Sequence, residues 1–298
     1  MMQLSIILVL FTVCGAAVQA QSVGRIESKS IVFAYPQNDP YDRANRFGFN
    51  HAPSVTRLPD GRLMAVWFSG PYEGSVHQVI AGSYSDDGGR TWSPAEVVRD
   101  EPRRSDFDPG FLMTDDASFL FHSAGRWTRY PFVGFRDTER KEVGVESFRI
   151  TLRRWRDNGT WSDAELLGSP TGWNCRSNGI ELASGRLLIP VHRLGSPLRS
   201  AVMLSDDGGG TWRMGGEPKI EARGGGGEPT VAELPDGTLL MAIRVRAGTV
   251  WFARSDDGGE TWSDAKASDV PGAGASHNLF VDSRNRLLLT HNPTVPHR

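Results

Sequence analysis

The chain contains one eight-residue phrase three times: SDDGGRTW at residues 85–92, SDDGGGTW at residues 205–212 and SDDGGETW at residues 255–262. We call these stretches box 1, box 2 and box 3. Self-similarity at a spacing of tens of residues is typical of an array of like units, each unable to bury its apolar face alone. The glycines allow turn conformations, Ser and Asp can bind backbone amides, and Trp can anchor a turn to a core. We therefore interpret each box as a hairpin turn.

A second pattern accompanies the boxes: an alternating strand, a tight turn and another strand. The copies cover residues 53–67, 111–123, 178–190, 229–242 and 278–290. A damaged box, DNGTW, follows the second copy at residues 157–161. Alternation and turn chemistry predict β-hairpins, and four strands per unit of about fifty residues is typical of a propeller blade. We predict an all-β fold, a β-propeller of four-stranded blades; a β-sandwich is the alternative, which repeated turn sequences disfavour.

The number of blades is the next question. The hairpins give four complete blades and half of a fifth, and a six-bladed ring needs more chain than this. Residues 25–35 are expected to supply an outer strand that closes the ring onto the last blade. Because an open ring would expose unpaired strand edges, we expect a further blade and a half beyond residue 298, and we interpret the chain as incomplete at its C-terminus.

The N-terminal segment reads as a secretory signal peptide over residues 1–20. Residues 4–13 form an apolar run that is too short for a transmembrane span, and small residues precede Gln21 as a cleavage site. We therefore predict that the propeller domain covers residues 21–298. The expected location is secreted or periplasmic.

Composition excludes several classes of function. The formal net charge is −2, so no basic excess indicates nucleic acid. Cys175 is the one cysteine after residues 1–20, which leaves no internal disulfide, and we interpret it as a buried thiol. No Cys/His spacing suggests zinc, so neither a metal nor another cofactor is expected. We expect a monomer.

Candidate functional residues are polar side chains at strand ends, because turns between outer strands lie away from the channel of a propeller. Glu228 follows four glycines and directly precedes a strand, and Arg244 ends the next strand, sixteen residues on. The tight turn PDG at residues 235–237 brings both to the same end of one hairpin. Glu73 follows another strand in a glycine-bordered loop, and Arg298 ends the chain. Each is equally compatible with a solvated charge or a structural ion pair.

Together, these features resemble the sialidase (neuraminidase) superfamily, six-bladed propellers whose Asp-boxes match boxes 1 to 3. The most specific stretch is GEPT at residues 227–230, which leads through LPDG to Arg244. The resemblance implies that Glu228 activates a tyrosine nucleophile and that Arg244 belongs to a clamp of three arginines on the substrate carboxylate. It implies that Arg298, after THNPT, is the third arginine of that clamp. Glu73 falls where the family places its acid/base Asp.

Three features depart from the family pattern. His51, in FNHAP at residues 49–53, stands where sialidases carry the first arginine of the clamp, and Glu73 stands in place of Asp. The family's tyrosine nucleophile lies downstream of residue 298. Arg43 or Arg46, on the preceding loop, is a candidate substitute for the missing arginine. Alternatively, His51 faces a different sugar as a hydrogen-bond donor or general base, or it only caps the strand start.

The function that the resemblance implies is that of a metal-independent exo-α-sialidase, which hydrolyses a terminal acidic sugar from a glycan. Arginine suits this task because its rigid fork binds a carboxylate through two hydrogen bonds. Two alternatives stay open: a glycosidase or lyase acting on another sugar through a changed first-blade pocket, and a non-catalytic carbohydrate-binding propeller. The expected partner is a glycan or glycoconjugate, with neither nucleic acid nor a membrane span involved.

Overall fold

All regular elements that the structure, a computed structural model, describes are β-strands. It describes residues 7–11, 29–33, 47–127, 145–168 and 170–292. Contacts divide the chain into two units: the first unit is residues 27–178, and the second unit is residues 1–26 with residues 179–298. Each unit is built from antiparallel sheets.

Two four-stranded sheets make up most of the first unit. In chain order, after β1 (Ile7–Phe11) of the second unit, the strands are β2 (Phe49–Arg57), β3 (Leu63–Gly70), β4 (Val79–Ser85), β5 (Glu96–Arg99), β6 (Ser105–Met113), β7 (Ser118–Trp127), β8 (Val145–Arg154), β9 (Glu165–Leu166) and β10 (Trp173–Cys175). Sheet order equals chain order in β2–β5 and in β6–β9. These are the first two predicted blades.

The second unit repeats this arrangement. Its strands are β11 (Ile180–Glu181), β12 (Leu187–Arg193), β13 (Arg199–Ser205), β14 (Arg213–Met214), β15 (Gly227–Glu233), β16 (Leu239–Arg244), β17 (Thr249–Ser255), β18 (Lys266–Pro271), β19 (Asn278–Val281) and β20 (Leu287–His291). Strands β11–β14 and β15–β18 pair successively, as predicted for two further blades, and β19 pairs with β20 as the fifth hairpin.

The free edge of the fifth hairpin carries the N-terminal strand. Strand β1 pairs antiparallel with β20, from Ile7 opposite His291 to Phe11 opposite Leu287. From the sequence alone, residues 25–35 are expected to take this closing role. That residues 1–20 are a signal peptide stays a prediction.

Residues 29–33, the described part of the predicted closing strand, form no strand. They lie against the first sheet of the first unit instead: the Trp92 indole N–H donates to Ser30 Oγ at 3.1 Å, and the Phe33 ring centroid is 5.6 Å from that of Trp67. The prediction of a closing strand is therefore wrong over these residues. The physical reason is that aromatic burial against box 1 and β3 competes with edge pairing.

Apolar residues at alternate positions of the inner strands build the core of each unit. In the first unit, Phe68 is 1% exposed and meets Phe107 edge-on, with ring centroids 5.4 Å apart. In the second unit, Leu188 and Met241 are fully buried in one cluster. Cys175 is buried in the first unit, which raises the pKa of its thiol to about 12 and confirms its interpretation as a buried thiol.

Each box joins the third strand of its sheet to the fourth, as predicted, and all three have the same hydrogen bonds. In box 2, Ser205 Oγ donates to Asp207 Oδ1 at 2.8 Å and accepts from Gly209 N at 2.9 Å. Thr211 donates to Asp207 through its backbone N–H at 2.8 Å and its hydroxyl at 2.7 Å. Boxes 1 and 3 repeat these four bonds. The carboxylate of the second Asp in each box, Asp87, Asp207 or Asp257, is thus occupied by its own turn.

Asp207→Ala is expected to lower the Tm by a few degrees and leave ligand affinity unchanged. The Thr211 N–H lowers the Asp207 pKa to about 2 from 3.8. Because the folded pKa is the lower one, the carboxylate stabilises the fold above pH 3.8, and this contribution is lost as the pH falls toward about 2. Thermal unfolding between pH 2 and 6 checks this, with exposed Asp269→Ala as control. A fully stable Asp207→Ala protein that binds no ligand would overturn the structural role.

Candidate active site

Glu228 lies on a β-bulge at the start of β15. Its φ is +47°, a left-handed value that is uncommon outside glycine, and the register of β15 on β16 shifts between Gly227 and Thr230. Pro229 has no N–H to donate to the ladder, so the interruption falls where the sequence requires it. The bulge turns the Glu228 side chain out of the regular alternation of the strand.

The same geometry occurs before two other prolines, both in the first unit. Ala52 and Asp108 have φ values of +54° and +49°, and the registers of β2 and β6 shift at these positions. Strained backbone of this kind concentrates at functional sites. The sequence signal for these bulges is a residue–proline pair inside an alternating strand: Ala52–Pro53, Asp108–Pro109 and Glu228–Pro229.

The glycine run before Glu228 packs against a neighbouring loop. Gly225 has a φ of +72°, and a Cβ built on it would lie 2.1 Å from the carbonyl oxygen of Leu198. Leu198 N–H donates to Gly224 O at 2.9 Å, and Gly226 N–H donates to Leu198 O at 3.2 Å. These bonds fix the backbone that leads into Glu228.

Glu228 and Arg244 form an ion pair at one end of the hairpin. Arg244 Nη1 donates to Glu228 Oε1, Ser276 Oγ donates to Glu228 Oε2, and Arg244 Nε donates to the carbonyl of Gly274. The Arg244 and Glu228 side chains are 31% and 20% exposed. The predicted meeting of these two residues is confirmed. Since a guanidinium has five N–H donors, Arg244 retains donors for an external carboxylate.

A cavity of about 380 Å³ opens beside this pair in the second unit. Its lining includes Arg223 and Arg246 besides Glu228 and Arg244, together with His192 and the loop at residues 194–198. Neither Arg223 nor Arg246 can be predicted from the sequence, because both lie on loops without a periodic pattern. The cavity is large enough for a single sugar ring, within the lower range of small-molecule sites.

His277 follows Ser276 in sequence. It is 7% exposed, and burial lowers the pKa of its imidazole below 6.5. The ring is therefore neutral at pH 7. Arg244 is therefore a positive charge in direct contact with Glu228, and His277 adds none at pH 7.

The other predicted site residues are distributed as follows. His51 lies inside β2, exposed, with its ring edge-on to Phe68 at 5.4 Å, so it is not a cap at the strand start. Glu73 is half-buried in the turn between β3 and β4. Arg46 and Arg298 lie outside the described residues, as does Arg43. The first unit thus carries His51 and Glu73, and the second unit carries the ion pair.

The described residues contain no group of three or more His, Cys, Asp and Glu side chains placed to hold a metal ion. Nor does any helix in that part of the chain have the length and apolarity to cross a membrane.

Comparison with known proteins relates this geometry to a family. The model of the BNR repeat-like domain matches residues 61–298. The chain belongs to this family. Its sheets are blades of a sialidase-type β-propeller, and the resemblance to the sialidase superfamily is confirmed.

The relatives of this BNR repeat-like chain include curated sialidases. It is 30% identical to a sialidase of Micromonospora viridifaciens over 234 residues, which cover 70% of the chain and 35% of that protein. It is 27% identical to a sialidase of Paraclostridium sordellii over 243 residues, 70% of the chain and 56% of that protein. The chain thus spans about a third to a half of these proteins.

Solved structures support the same fold for this BNR repeat-like chain. A Hadza microbial sialidase superposes with a TM-score of 0.68 at 18% identity, covering 85% of the chain and 55% of that protein. A Dyadobacter fermentans protein of unknown function gives a TM-score of 0.67 at 21% identity, covering 84% of the chain and 76% of that protein.

Proposed function

We propose that the chain is the propeller domain of a secreted, monomeric sialidase-like glycosidase, which hydrolyses a terminal acidic sugar from a glycan. The observation that carries the proposal is the Glu228–Arg244 ion pair on a strained bulge at a cavity. Its sequence context, GEPT to Arg244, resembles the catalytic Glu and clamp Arg of sialidases. The sialidases among its relatives support the same reading.

Arg244 holds the carboxylate of the sugar in the proposed reaction. Its Nη1 and Nε are fixed by Glu228 and Gly274, so the guanidinium presents its remaining N–H donors in one orientation. Such preorganisation lowers the entropic cost of binding. By the resemblance, Arg298 is the third arginine of the clamp, and Arg46 is the proposed substitute for the first.

Glu228 acts on the nucleophile. In the family this is a tyrosine, whose phenolic proton passes to the carboxylate as the phenolate attacks the anomeric carbon. The bond to the leaving oxygen breaks as the acid, Glu73 by resemblance, gives up its proton. Glu73 then takes a proton from a water that attacks the anomeric carbon, the bond between sugar and tyrosine breaks, and the tyrosine takes its proton back from Glu228. The Ser276 hydroxyl orients the Glu228 carboxylate throughout.

A substrate panel tests the proposal on the wild-type protein. The panel contains an aryl α-sialoside, an aryl β-glucuronide and an aryl β-galactoside, with release of the phenol as the readout. We expect release from the sialoside alone. Release from the glucuronide would indicate another acidic sugar, and release from the galactoside a neutral one. Saturable binding of a sialoside without any release would identify a non-catalytic carbohydrate-binding propeller.

A further inference from the structure

The cavity beside Glu228 carries more positive charge than the ion pair requires. Three arginines line it, Arg223, Arg244 and Arg246, against one acidic residue, Glu228. The chain as a whole has a formal net charge of −2. A concave cationic site on a net negative chain attracts anions and concentrates them locally.

Arg223 stands on a fixed turn. Gly225 N–H donates to Ala222 O at 2.8 Å, so Arg223 is the second residue of a β-turn, and its third residue, Gly224, has a φ of +84°. Glycine at that position is typical of a type II turn. The backbone that carries Arg223 is therefore held in place, although its side chain is exposed.

Arg246 approaches the cavity from a different loop. It follows Arg244 by two residues in the connection between β16 and β17. A Cβ built on Gly274 would lie 3.9 Å from Arg246 Cγ, so the Arg246 stem lies against the residue whose carbonyl accepts from Arg244. Arg246 therefore lies close to Arg244, the arginine that is proposed to bind the sugar carboxylate.

Neither Arg223 nor Arg246 has an ion-pair partner among the residues that the structure describes. The two acidic residues that precede Arg223 are engaged elsewhere: Glu217 with Arg199 at 2.6 Å, and Glu221 with Lys219 at 2.7 Å. Elsewhere in the second unit, most guanidinium groups do meet a carboxylate: those of Arg186, Arg199, Arg213 and Arg286. Two exposed guanidinium groups at one cavity can therefore bind an anion from outside.

We propose that Arg223 and Arg246 form a second anion subsite, and that the substrate joins its acidic sugar to a unit with another negative group, a sulfate or carboxylate. The proposal rests on the proposed function for the identity of the first sugar. Guanidinium forks match the paired oxygens of both groups. Since both side chains are exposed, we expect a gain in affinity of about tenfold, that of one charge-assisted hydrogen bond.

Calorimetry at low ionic strength tests the subsite with two ligands, 3′-sialyllactose and the same trisaccharide sulfated on its galactose. The wild-type protein is expected to bind the sulfated ligand about tenfold more tightly. Arg223→Gln with Arg246→Gln should abolish that gain and leave the affinity for the unsulfated ligand unchanged. The matched control is Arg284→Gln, an exposed arginine on the turn between β19 and β20, which should keep the gain.

The outcomes separate the two proposals. Equal affinity for both ligands in the wild-type protein overturns the subsite and leaves the proposed function standing. If neither trisaccharide binds, the proposed function fails, and inorganic sulfate then tests the subsite alone. Sulfate, compared with chloride at equal ionic strength, should raise the Tm of the wild-type protein more than that of the double variant. Equal shifts would overturn the subsite.

Discussion

Glu228→Gln is expected to lower kcat on an aryl α-sialoside by about 10²–10⁴-fold, the usual contribution of a positioned general base. Gln keeps the shape of the side chain: its carbonyl oxygen can still accept from Arg244 Nη1, and its NH2 group can donate to Ser276 Oγ. It cannot take up the proton of the nucleophile or stabilise positive charge in the transition state. KM should change little, because the carboxylate of the sugar contacts Arg244 rather than Glu228.

The measurement is steady-state kinetics of wild-type protein and the Glu228→Gln and Glu233→Gln variants. Glu233 is the matched control, since it lies at the other end of β15 and its carboxylate binds the Ala183 N–H at 2.7 Å. Unfolding by heat verifies that each variant is folded. A folded Glu228→Gln variant with the wild-type kcat would remove Glu228 from the reaction.

Gly225→Ala is expected to lower the free energy of unfolding by about 2–5 kcal/mol, through left-handed strain and overpacking together. The new Cβ would meet the carbonyl oxygen of Leu198 at 2.1 Å, a backbone atom that cannot rotate away. The loops at residues 194–198 and 224–227 must then separate. Because that contact fixes the entry to Glu228, ligand affinity should fall with stability.

Gly224→Ala is the control for this effect. Gly224 also has a positive φ, +84°, but a Cβ there would meet nothing within 4 Å. Gly224→Ala should therefore lower the free energy of unfolding through left-handed strain alone, by about 1–2 kcal/mol. Chemical denaturation of both variants compares the two costs. Equal losses would mean that the close approach to Leu198 does not constrain the loop.

The blades and the ion pair follow from local patterns in the sequence. Alternation and turn glycines determine the hairpins, so the sequence predicts that Glu228 and Arg244, on adjacent strands, meet at one end of a hairpin. The boxes are equally local, since each binds its second Asp, such as Asp207, within a few residues. Interactions between residues close in sequence are therefore sufficient to predict the hairpins, the boxes and the ion pair.

Other parts of the site depend on contacts that no local pattern records. Ser276 reaches Glu228 across 48 residues and lies in a loop without periodicity. Arg223 and Arg246 line the cavity because of turn geometry, and their sequence neighbours resemble those of any solvated arginine. The placement of residues 29–33 likewise depends on aromatic partners far away in sequence, such as Trp67.

The central claim is that Arg244 holds the carboxylate of an acidic sugar in the cavity beside Glu228. The most direct test is calorimetric titration of a 2,3-unsaturated sialic acid, a transition-state mimic, and its methyl ester against wild-type protein and Arg244→Lys. The wild-type protein should bind the acid about 10–100-fold more tightly than the ester, the range of a charged hydrogen-bonded pair. Lysine keeps the charge but loses the planar fork, so the difference should shrink in the variant. Equal affinities of the wild-type protein for acid and ester would contradict the account.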